Sequence, residues 1–63
     1  MEKVLAALVS YEIEVLSVNG KRISLKGPYE IELESNGICR LLDEGYIIAP
    51  FDDLEEMCRF ILS

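Results

Sequence analysis

The sequence predicts an α+β fold: an N-terminal helix, an antiparallel β-meander of four to five strands and a C-terminal helix, with the helices packed on the sheet. Three observations carry that expectation. Apolar and polar residues alternate over residues 11–15, 22–26 and 29–34, the period of strands with one buried and one wet face. Asn-Gly follows two of these runs, at 19–20 and 36–37, and marks hairpin turns. The two ends of the chain lack that period and are rich in helix formers.

Taken in order, "EKVLAALVS" contains neither Gly nor Pro and predicts a helix over Glu2–Val9. Apart from Glu2 and Lys3 that helix is apolar all round, so it needs cover on more than one side. From Tyr11 the period becomes two, placing Tyr11, Ile13 and Val15 inward and Glu12 and Glu14 outward. "RISLK" continues with Ile23 and Leu25 inward, and "YEIELE" with Tyr29, Ile31 and Leu33 inward.

Opposed residues on paired strands share a face, which tests the turn lengths. Three-residue loops at Val18-Asn19-Gly20 and Ser35-Asn36-Gly37 satisfy this, each a type I turn closed by a left-handed glycine. They pair Val15 with Ile23, Ile13 with Leu25, Leu33 with Cys39 and Ile31 with Leu41, and set Glu12 opposite Lys26. "YEIEVLSVNG" and "YEIELESNG" thus read as one hairpin opening used twice. "KGP" at 26–28 joins the copies and sets Arg22 opposite Glu32, which also faces Arg40. "DEG" at 43–45 predicts a further turn into a short strand "YIIA", which Pro50 should end. In "FDDLEEMCRFILS", Asp52 or Asp53 caps a helix whose Leu54, Met57, Cys58 and Ile61 form one inward stripe.

At 63 residues, 51% hydrophobic and 29% charged, the chain is a single small domain over residues 1–63. Domains of this size usually require a staple. Two cysteines and no histidine cannot make a four-ligand zinc site, so no metal or other cofactor is expected. The early apolar run "VLAALV" is too short for a signal core or a membrane span, so a cytoplasmic protein with buried thiols is expected. Self-association is then the expected stabiliser.

Net charge is −6, with twelve acids against six bases. That balance opposes binding to nucleic acid or to an anionic membrane. Without histidine the five serines have no triad partner, and no Gly-rich phosphate loop occurs. The strand glutamates fall on a wet face, Cys39 and Cys58 on inward faces. No enzyme activity and no sizeable ligand pocket are expected. What remains is apolar: Ile38, Leu42, Tyr46 and Ile48 fall on the outward side of the last two strands, a candidate protein interface. The free edge of the last strand is a second candidate.

The function expected is therefore a small acidic protein-interaction module, adaptor or regulator, homodimeric and without catalysis, whose partners are itself and another protein. The alternatives are an acidic inhibitor or nucleic-acid mimic presenting Glu12, Glu14, Glu30, Glu32 and Glu34, or a non-catalytic accessory subunit. Residues 4–28, "VLAALVSYEIEVLSVNGKRISLKGP", resemble the helix-plus-hairpin opening of docking domains on hybrid peptide–polyketide synthetase subunits. Those domains continue into helices, whereas "YEIELE" reads as a strand. The resemblance implies a helix and hairpin there and carries no function across.

Overall fold

The computed structural model describes all of residues 1–63 and has the order α-β-β-β-β-β-α. Helix α1 spans Glu2–Ser10, strands β1 to β5 span Val15–Asn19, Arg22–Leu25, Tyr29–Leu33, Cys39–Asp43 and Tyr46–Phe51, and helix α2 spans Leu54–Leu62. The strands form one open antiparallel sheet in the order β1-β2-β3-β4-β5.

Both helices lie on one face. Val4 and Leu8 of α1 and Met57 and Cys58 of α2 share one core cluster with Ile23, Leu25, Ile31, Cys39 and Leu41 of the sheet. Packing on one face follows from the strand period, because only that face offers an unbroken apolar surface. Helix α1 is covered less than its sequence demanded, leaving Val9 exposed. Helix α2 starts at the second of its two candidate caps: the Asp53 carboxylate accepts from the backbone N–H of Glu55 at 2.9 Å and of Glu56 at 3.2 Å. Tyr11 Oη donates to Glu55 Oε1 at 3.2 Å and links the α1 exit to α2.

The central register follows the sequence. Ile23 faces Ile31, Ile31 faces Leu41, and Leu33 faces Cys39. At the β3–β4 turn the Glu34 N–H donates to the Ile38 carbonyl and the Gly37 N–H to the Glu34 carbonyl. With Gly37 at φ +87, this is the expected three-residue loop.

The first hairpin differs. Asn19 pairs with Arg22 and Val18 with Ile23, so the loop is the dipeptide Gly20-Lys21, not Val18-Asn19-Gly20. Positive φ at Gly20 but not at Lys21 is the type II′ pattern, which suits the twist of the flanking strands. A bulge at Leu16 then lets Val15 face Leu25 in place of Ile23, and the Lys26 N–H bonds to Glu14, not Glu12.

The strand also begins four residues later than its alternation implied. Tyr11 caps α1 and Glu12 sits at φ +58, left-handed. The Glu12 N–H donates to the Val9 carbonyl and the Ile13 N–H to the Leu8 carbonyl, both at 2.9 Å. This is a Schellman termination, closed by contact between buried Ile13 and Leu8. The tetrapeptide "YEIE" thus ends a helix at 11–14 and builds a strand at 29–32. The repeated letters do not repeat the structure.

Pro50 does not end β5, which runs on to Phe51. On an edge strand the position without an N–H can point away from the ladder, so no sheet hydrogen bond is lost.

Candidate interaction site

The face of the sheet away from the helices divides into a charged part and an apolar part. Its charged part is a ladder of alternating sign across β2, β3 and β4. Arg22 Nη2 donates to Glu32 Oε2 at 2.7 Å, and Arg40 grips Glu34 through Nε and Nη2 at 2.6 and 2.9 Å. Longer contacts join Arg22 to Glu30 at 3.8 Å and Arg40 to Glu32 at 3.9 Å. The hydrogen bond from Arg22 holds the Glu32 carboxyl below its usual range, and the same bond raises the Arg22 guanidinium. Register placed Arg22, Glu32 and Arg40 together; the bidentate grip on Glu34 was not foreseen, because Glu34 lies just outside β3. Of the five glutamates considered for a nucleic-acid mimic, Glu30, Glu32 and Glu34 are therefore engaged in ion pairs with two arginines, Arg22 and Arg40.

The apolar part departs from expectation through a bulge at a single residue, which moves its neighbours. Strand β5 carries a bulge: Leu41 faces Ala49, yet Leu42 faces Ile47, which leaves Ile48 without a partner. A one-residue shift moves side chains to the opposite face. Ile47, not Tyr46, thus lies in the same cross-strand row as Leu42 and Glu30. Tyr46 pairs with Asp43 and so falls in register with Tyr29, a residue packed against the core.

Of the four residues expected at an interface, Leu42 is only 3% exposed and offers no contact surface. In its row it is flanked by Glu30 and Ile47. Ile38 is half-buried beside the β3–β4 turn. Tyr46 and Ile48 are exposed at 78% and 43%, and Ile47 between them, missed by sequence reasoning, at 54%. No alternation signal could have found it, because "YIIAPF" is apolar at every position. Near the far end of the strand Phe51 stacks on Phe60 of α2, with ring centroids 5.6 Å apart. Phe60 and Leu62 are themselves exposed, so apolar surface continues from β5 onto the last turn of α2.

The two edges of the sheet share a pattern. Neither β1 (VLSVN) nor β5 (YIIAPF) carries a charged residue, while each of the three inner strands does. Exposed edges are commonly protected by charge. Here each edge carries a bulge instead, at Leu16 and at Ile48, and β5 adds Pro50.

Both thiols are buried. Cys39 and Cys58 are free thiols inside the core, 2% and 0% exposed. Burial pushes both thiols up, and for Cys58 the nearby Cys39 adds to the rise. The carboxylates form no cluster, with thiols or among themselves, able to hold a metal ion, and no helix is long and apolar enough to cross a membrane. Grooves do exist where no sizeable pocket was expected, among them one of about 540 Å³ between the ends of the NG hairpins and the first turns of both helices. That groove is framed by turns and helix ends around the core, which is why the small size of the core did not forbid it.

Comparison with protein-family models, curated proteins and solved structures finds no match. The docking-domain resemblance of residues 4–28 is thus supported by nothing beyond the helix and hairpin themselves.

Proposed function

We propose that this protein is a non-catalytic interaction module that self-associates through β5, using Tyr46, Ile47 and Ile48. The observation that carries the reading is three consecutive large apolar side chains left in water on an uncharged edge strand. Charge opposes a second copy less there than over most of the surface. With a net charge of −6 on each chain, two copies approaching through most other surfaces bring acids together, and β5 has none.

Area sets the extent of the contact. A stable interface takes about 800 Å² from each partner, close to a fifth of this protomer's 4191 Å². Strand β5 is too small alone, so Phe60 and Leu62 complete the contact. The bulge at Ile48 and the missing donor at Pro50 oppose long strand-to-strand pairing, so side-chain packing dominates. Buried thiols with raised pKa values, ion-paired carboxylates and the lack of histidine support a role without chemistry of its own. Residence in the cytoplasm fits those reduced thiols.

The test is mass in solution. Wild-type protein should elute as a dimer by light scattering, and Ile47→Lys should shift it to monomer with its circular dichroism unchanged. A wild-type monomer at high micromolar concentration would overturn the proposal.

A further inference from the structure

The groove at the other end of the sheet has a lining of its own character. Its apolar walls come from five elements: Val4 of α1, Val18 of β1, Leu33 of β3, Cys39 of β4 and Leu54 of α2, with Ile38 beside the β3–β4 turn. The glycines of both NG sequences, Gly20 and Gly37, border it, so the turns that end the two similar stretches of sequence meet here.

Its charged side chains are Lys3, Lys21, Glu34 and Asp52. Glu34 is held by Arg40 in a bidentate pair, so its charge is already compensated. Neither lysine takes part in any ion pair, although all three arginines do. Two unpaired cations therefore oppose one unpaired acid, Asp52, in a protein whose overall charge is −6. An apolar trough with a locally positive rim is complementary to a molecule with an aliphatic body and one anionic head. A volume of about 540 Å³ suits a chain of medium length.

We infer that this groove binds an amphipathic monocarboxylate of medium chain length, its alkyl body along Val4, Val18, Leu33 and Ile38 and its carboxylate at Lys3 and Lys21. The site lies past the Phe51 end of β5, opposite Tyr46, and does not depend on the proposed self-association.

The experiment is a titration of ¹⁵N-labelled full-length protein with sodium decanoate, kept below its micelle threshold, and separately with 1-decanol. Decanoate should give saturable shifts confined to amides such as Gly20, Lys21, Ile38 and Leu54. Decanol should bind more weakly, because an exposed charge contact contributes about two- to fivefold in affinity. Lys3→Glu with Lys21→Glu should weaken decanoate about tenfold. Asp52→Asn should tighten it, and Ile47→Lys should leave it unchanged. Shifts spread over the whole chain, equal binding of the alcohol, or lysine variants that bind like the wild type would each overturn the inference.

Discussion

Replacing Glu12 with glycine should stabilise the protein, although it removes a side chain and adds nothing. Glu12 holds φ +58 to close the Schellman motif, where glycine usually stands. A left-handed backbone costs a residue with a Cβ about 1–2 kcal/mol. Glycine removes that strain but loses about 0.4–1 kcal/mol through its freer unfolded chain. The difference is a net gain of about 0.5–1 kcal/mol. At an unfolding entropy of about 2.1 cal/mol/K per residue, the 63 residues give about 0.13 kcal/mol/K, so Tm should rise by about 4–8 °C. The assay is thermal melting by circular dichroism at pH 7, with Glu12→Ala as control. Alanine removes the same negative charge but keeps the strain, so its Tm should not rise. An equal rise for both variants would trace the effect to charge relief and refute the backbone argument. An unchanged or lower Tm for the glycine variant would refute the left-handed geometry itself.

Two further outcomes follow from the core and the edge. Cys39 and Cys58 have folded-state pKa values raised by burial, so their neutral thiols favour the fold fully below the free-thiol value, about 8.5. That contribution should disappear as pH rises through their folded values. Under reducing conditions the urea midpoint should therefore fall between pH 8.5 and 10, and a Cys39→Ala, Cys58→Ala protein should fall less over the same range. Pro50→Ala restores a backbone donor on the free edge of β5 and should promote larger, thioflavin-positive assemblies that the wild type does not form.

How far the sequence could be read depended on whether two independent signals agreed. Strands β2 to β4 were legible because inward apolar pairs and outward Arg–Glu pairs both demand one register, and Gly37 sits where that register needs a left-handed residue. Strand β1 was not. "YEIE" satisfies the strand period, yet Ile13 is needed against Leu8, and no glycine advertised the helix exit because Glu12 adopts the strained angle. The dipeptide turn at Gly20-Lys21 followed, once the Leu16 bulge had taken up the offset. The site was half legible. Exposed apolar surface on the last strand was foreseen at Tyr46 and Ile48, but the Ile48 bulge changed the face of its neighbours, brought in Ile47, and left Leu42 buried. A strand apolar at every position has no contrast from which its parity can be read.

The idea that solvent-facing β5 joins two chains is tested most directly by light scattering on a sizing column, comparing wild type with Tyr46→Lys and Ile47→Lys. The expected result is twice the protomer mass of 7.1 kDa for wild type and the protomer mass for both variants, all three giving the same far-ultraviolet circular dichroism spectrum at 25 °C. A wild-type mass of one protomer, or a dimer that survives both lysines, would contradict it.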